Sequence, residues 1–280
     1  MHLVPRPVGA TRWRAALAAL ALVVGVAGCV TTGAPPRPPH RNTGDDDITT
    51  ASDQTNADRL YNTRMELAGA YFGRGQPTDA LDQVKQALQA KPDMPAAYGL
   101  RGLIYASLGD NDKADESFRR ALQLAPHDAD LIHNYGWYLC QQRRFDDADQ
   151  QFRRAVAEPN YRGVSRTMLV EGICQSRAGK PADAERTLSR AYELDPANPT
   201  IAVNLSEVLY RAGQYDRARF YIRRVNGRQV LSNAQTLWLA ARIEHRLGQD
   251  EQVRGLGAQL HSRYPDAPET LQFDKGRFDE

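Results

Sequence analysis

Cysteine is scarce in this chain of 280 residues, which has only Cys29, Cys140 and Cys174. No Cys-x-x-Cys is present, and no His/Cys group has the spacing of a zinc site. The six histidines are scattered. G-x-x-x-x-G-K-[ST], H-E-x-x-H, G-x-S-x-G and G-x-G-x-x-G are all missing, which removes the common signatures of phosphate cradles, metalloproteases, serine hydrolases and dinucleotide enzymes. No basic stripe interleaves with aromatics, so nothing points to nucleic acid. The residues call for no cofactor, metal or small-molecule substrate, and a non-enzymatic protein is expected.

What is present begins with an unusual start. MHLVPRPVGATRWR carries Arg6, Arg12 and Arg14 and no acid. The apolar run that follows, AALAALALVVGVA at 15–27, is too short to cross a bilayer comfortably. A basic start, a short apolar core and a small-residue exit read as a secretion signal over 1–28. The exit, VAGC, resembles the lipobox of bacterial lipoproteins. That resemblance implies cleavage before Cys29 and a diacylglycerol on its sulfur, with Val30 favouring outer-membrane sorting. An ordinary signal peptide or an uncleaved anchor is the alternative. Removing the signal leaves 33 basic against 34 acidic residues, so the slightly basic whole-chain balance carries no message about partners. Residues 29–57, rich in proline and acid and poor in large apolar side chains, read as a lipidated cysteine and a disordered tether.

The informative signal is self-similarity. LAGAYFGRGQPTDALDQVKQALQAKPD, RGLIYASLGDNDKADESFRRALQLAPH and YGWYLCQQRRFDDADQQFRRAVAEPN fall in register at a period of 34, and two further segments continue the series. The eighth position of each unit is small: Ala68, Gly102, Gly136, Gly172, Ser206, Ala241. The twentieth reads Ala80, Ala114, Ala148, Ala184, Ala218, Val253. Small residues at both positions let two helices approach closely. This is the tetratricopeptide pattern, and it predicts an all-α solenoid of about six helix-turn-helix units, a right-handed superhelix with a concave groove. The units run over 61–94, 95–128, 129–162, 165–198, 199–232 and 234–267, followed by a tail at 268–280. The sixth is degenerate, because Val253 and Gly257 replace the usual small and bulky pair.

LIHNYGWYLC crowds His133, Trp137, two tyrosines and Cys140 into ten residues. His133 and Cys140 are seven apart, about 10 Å along a helix, too far for a nucleophile and its base. In tetratricopeptide repeats positions 2, 5, 9 and 12 of the first helix line the groove. Here that places Asp130, His133, Trp137 and Cys140 in the third unit, with Gln141 adjoining. Elsewhere it places Leu103, Arg166, Ile173, Glu207, Tyr210, Trp238 and Arg242 along the groove, with Glu66 one residue beyond position 5 of the first unit. Aromatic and arginine side chains are the commonest binding anchors. Packing against neighbouring helices is the alternative for Trp137 and Trp238. At the first-unit positions where chaperone-binding relatives clamp a free carboxylate this chain has Glu66 or Met65, and Gly69, none of them a cation, so a free C-terminal tail is not the expected ligand. Cys140 and Cys174 sit on first helices of adjacent units; two buried thiols are expected, with a disulfide as the alternative.

HNYGWYLCQQRRFDDA, the junction NYRGVSRTM, NPTIAVNLSEVLYRAGQYDRAR and LHSRYPDAPETLQFDKG together resemble the PilF/PilW group of type IV pilus biogenesis lipoproteins. The resemblance implies a pilotin: an outer-membrane adaptor on the periplasmic face, held by lipid on Cys29. It would bind PilQ-like secretin subunits, promote their multimer assembly and so support twitching motility. A lipoprotein scaffold for periplasmic proteases or cell-wall enzymes is the other reading, and a protein with an unprocessed start is a third.

Overall fold

The computed structural model describes residues 55–278, all-helical with thirteen helices. Cys29, the signal and nearly all of the tether lie outside the described residues. Six helix pairs follow one another: α1 (Asn56–Gly73) with α2 (Pro77–Ala90), α3 (Pro95–Ser107) with α4 (Asn111–Leu124), and α5 (Ala129–Gln141) with α6 (Phe145–Ala157). Then come α7 (Val164–Arg177) with α8 (Pro181–Leu194), α9 (Pro199–Arg211) with α10 (Tyr215–Asn226), and α11 (Ala234–Arg246) with α12 (Asp250–Arg263). A thirteenth helix, α13 (Pro268–Asp274), closes the series. Among the described residues no helix is long and apolar enough to cross a membrane.

Close packing within each pair follows from the small residues. A Cβ on Gly136 would stand 2.8 Å from the Phe152 ring, and one on Gly172 would stand 2.5 Å from Leu188. Ala80, Ala114, Ala148, Ala184 and Ala218 are fully buried. The bulky side chains facing these gaps (Val84, Phe118, Phe152, Leu188 and Ile222) are buried too, in three successive core clusters along the stack.

Each first helix also touches the first helix of the next pair, from α1 to α11, whereas among the described residues second helices make no such contacts with one another. The inner row is therefore shorter than the outer row, and the first helices line the concave side.

Three features depart from the sequence reading. First, α1 begins at Asn56, inside the stretch read as tether. Thr55 and Asp58 form a capping box, with Asp58 N–H donating to Thr55 Oγ1 at 3.1 Å and Thr55 N–H to Asp58 Oδ2 at 3.0 Å. Lys91 pairs with Asp58 at 2.5 Å, and these donors pull its carboxyl down to about 2. Second, Cys140 and Cys174 form a disulfide with Cα atoms 5.9 Å apart, joining α5 to α7. The two buried thiols expected from sequence are replaced by a bridge. Their two-position offset turns one sulfur toward the other across adjacent first helices. Third, the sixth unit is complete after all. A Cβ on Gly257 would lie 2.2 Å from the Phe273 ring, so α13 inserts the bulky group that the unit's own second helix lacks.

Candidate functional site

The concave face divides into two regions. In the third and fourth units the residues named from sequence do not all reach it. His133 is only 7% exposed. Its Nδ1 shares a hydrogen bond of 2.9 Å with Thr167 Oγ1, and its ring lies 6.0 Å from that of Phe152. Burial, reinforced by the charge of Arg166, pulls its pKa down to about 4, so at neutral pH it is an uncharged packing residue. This corrects its expected place as a groove ligand. Its partner is supplied by α7 of the next unit, and the Tyr161 hydroxyl from the junction shares a 2.8 Å hydrogen bond with the same Thr167 Oγ1. Cys140, also counted into the groove, is 2% exposed within the disulfide.

What this region does present is Trp137, Gln141 and Arg166. Trp137 is half-buried with the Arg177 guanidinium 5.9 Å from its ring centre, a cation–π arrangement. Gln141 is exposed. Arg166 is exposed and pairs with Asp130 at 2.5 Å. Ile173 and Leu103 are half-buried against the core. Glu66 lies exposed on α1.

The fifth and sixth units form a tighter cluster. Tyr210 on α9 is 6% exposed, with the Arg242 guanidinium of α11 4.6 Å over its ring. Glu207 pairs with Arg211 at 2.8 Å on the same helix. Trp238 is half-buried. The space between these side chains is filled by the chain itself. The Phe278 ring stacks on His245 at 4.4 Å and lies 5.2 Å from Trp238. Its carbonyl accepts from the Tyr210 hydroxyl at 3.1 Å and from Arg242 Nε at 3.3 Å. Sequence reasoning missed His245, Phe273 and Phe278. The available signal was two phenylalanines in an otherwise polar ending, QFDKGRFDE, with no repeat position to assign them to.

Similarity to known proteins follows this architecture. Tetratricopeptide repeat models match residues 65–129 and 176–241. The crystal structure of PilW, described as a widely conserved type IV pilus biogenesis factor, superposes with a TM-score of 0.69 at 31% identity. It covers 76% of this chain and 98% of that one. The chain belongs to the PilF/PilW family. The type IV pilus assembly protein PilF of Pseudomonas aeruginosa is 28% identical over 93% of this chain and 97% of its own length. Its solved structure gives a TM-score of 0.66 at 24% identity, covering 79% and 100% of the two chains, which speaks to the shared fold. The family's fold is thus the one described above, down to nearly the whole length of its solved member.

Proposed function

We propose that this protein acts in type IV pilus biogenesis as a pilotin, a lipid-anchored adaptor that binds subunits of the outer-membrane secretin and promotes their assembly into multimers. The observation that carries the reading is the match to PilW over 98% of its chain, on a scaffold that offers a surface rather than a reaction centre. In this reading residues 1–28 are the signal, Cys29 takes the lipid, and residues 30–54 give reach of roughly 30 Å. The repeats over 61–267 hold the client. Lipid on a single cysteine bearing several acyl chains supports stable anchoring at the outer membrane, because each buried methylene adds about 0.8 kcal/mol.

The concave face suits protein binding on chemical grounds. Trp137 with the Arg177 guanidinium against its ring, and Arg166 paired with Asp130, offer aromatic and cationic groups of the kind that anchor protein partners. Cys140 is bonded to Cys174 and His133 is hydrogen-bonded to Thr167, so both side chains serve the packing between units.

A strain lacking the protein should lose heat- and detergent-resistant secretin multimers and twitching motility, with both restored by the wild-type gene. Normal multimers at the outer membrane of the deletion strain would end the reading. Co-purification of the secretin with the mature protein should weaken on Trp137→Ala and on Arg166→Glu. Incorporation of a palmitate analogue, lost on Cys29→Ser, tests the anchor separately.

A further inference from the structure

The segment after α12 is held at two places. Helix α13 is fastened by Phe273 against Gly257, by the His261–Asp274 contact at 2.8 Å, and by buried Thr270, whose hydroxyl donates to the Tyr264 carbonyl at 2.6 Å. These contacts complete the sixth unit, and the Phe273 ring also meets Phe278 edge-on at 5.5 Å and Trp238 at 6.3 Å. Beyond the helix, Gly276 adopts a positive φ of 64°, and the amides of Gly276 and Arg277 close back on Phe273 and Gln272 at 3.0 and 3.1 Å. The turn delivers Phe278 into the concave face, onto residues of α9 and α11 at first-helix groove positions.

The chemistry of that second attachment is generic. Phe278 contributes one aromatic ring and one main-chain carbonyl. The receiving side supplies an aromatic wall in Trp238 and His245, and two converging donors in Tyr210 and Arg242. No other atom of Phe278 is needed to explain the fit, and the ring stays half-exposed. Any extended peptide with an aromatic side chain could satisfy the same groups, because the carbonyl belongs to every residue type.

We infer that the pocket formed by Tyr210, Trp238, Arg242 and His245 is a docking site for an extended segment of a protein client that presents an aromatic side chain and its main-chain carbonyl, and that Phe278 occupies this site until the client displaces it. The inference deepens the adaptor reading in naming what the fifth and sixth units recognise, and it rests on that reading only for the identity of the client. A tethered occupant competes at high effective concentration, so the intact protein binds such a peptide more weakly than one whose occupant has been removed.

The test uses the purified mature protein and a fluorescein-labelled peptide of residues 274–280, DKGRFDE, followed by anisotropy. The Phe278→Ala protein should bind the peptide about tenfold tighter than wild type, the scale of one aromatic contact. Phe278→Leu, which keeps an apolar side chain, should show a smaller gain in the same direction. Adding Arg242→Ala to Phe278→Ala, or replacing the peptide's phenylalanine by alanine, should abolish the gain. Equal affinity of wild type and Phe278→Ala overturns the proposal, as does a gain that survives Arg242→Ala. These readouts involve no secretin. Loss of secretin multimers in the deletion strain can therefore stand while the peptide result fails, and the reverse also holds.

Discussion

Glu171 on α7 provides the sharpest quantitative test of the packing. Its side chain is 7% exposed, beside Phe152 and the Cys140–Cys174 bridge. Gln175 Nε2 donates to it at 3.3 Å and to Asp149 at 2.9 Å. Burial is the largest influence on its carboxyl, and the negative charge and hydrogen bonding of Asp149 add to it. Together they push the pKa from 4.5 up to about 8, against a smaller opposing effect of Arg153. The folded protein therefore keeps this proton at neutral pH while the unfolded chain releases it. Stability carries no penalty from this group below pH 4.5, and loses ground as pH rises from there to about 8, because the unfolded state binds fewer protons across that window. At pH 7 the penalty integrates to roughly 3 kcal/mol. Glu171→Gln cannot ionise. Its amide can donate to Asp149 as the protonated acid does, and its oxygen can still accept from Gln175. The variant should match wild type near pH 4.5 and exceed it by roughly 3 kcal/mol at pH 7 in urea unfolding followed by circular dichroism, with the disulfide intact. The carbon-13 shift of the wild-type carboxyl should titrate near pH 8. A gain of equal size at both pH values, or a carboxyl that titrates in the ordinary range, would refute the buried-acid account.

Other consequences are open to simpler measurements. The bridge closes a loop over a separation of 34 residues. Non-reducing mass spectrometry should thus show the 2 Da loss of one disulfide, and Cys140→Ser with Cys174→Ser should cost roughly 3–4 kcal/mol. Arg143 ends the first helix of the third unit at φ 59°, where five other units use glycine. Arg143→Gly should therefore stabilise by about 0.5–1 kcal/mol and raise the melting temperature, while a lower one contradicts the strain assigned to it. His261 has its pKa raised by the Gly257 carbonyl first and Asp274 second. Its support for α13 is then complete below the ordinary histidine value and is lost as pH rises through the raised one. Intrinsic-rate-corrected hydrogen exchange over 268–278 should accelerate as pH rises from the ordinary histidine value through the raised one, and His261→Gln should flatten that change.

The repeat was legible because its cause is local and recurrent. Each pair needs a small residue on either helix where backbones meet, and Gly136 facing Phe152 shows how little room there is. That constraint is written every 34 residues. What the period could not reveal lay in contacts that break it. Phe273 fills the gap at Gly257 from outside the repeat, so the sixth unit looked degenerate when its missing group was only displaced along the chain. His133 sits at a groove position by count, yet Thr167 on α7 of the next unit bonds its ring, and Tyr161 bonds the same hydroxyl. A position number gives the direction in which a side chain leaves its helix; what it meets there is decided by the neighbouring unit. Tyr210, Trp238 and Arg242 were legible as one face for the first reason. That the face holds Phe278 was not, for the second.

These two departures give the concave face an internal contrast that bears on how an adaptor would work. Between the third and fourth units, the disulfide ties α5 to α7, and the buried hydrogen bond of His133 with Thr167 runs parallel to it. The spacing of first helices there is fixed covalently, so Trp137 and Arg166 are presented at a set separation without ordering cost when a client arrives. Between the fifth and sixth units, the face is instead closed by an aromatic ring and two hydrogen bonds to one carbonyl, all of which a client strand could replace one for one. Binding at the first region would meet a surface held in place by the bridge. Binding at the second would exchange like for like, with a net free energy set by the difference between client and occupant rather than by the full contact. A client that engages both would thus gain affinity from the fixed region and selectivity from the exchangeable one, since only a segment that outcompetes Phe278 completes the contact.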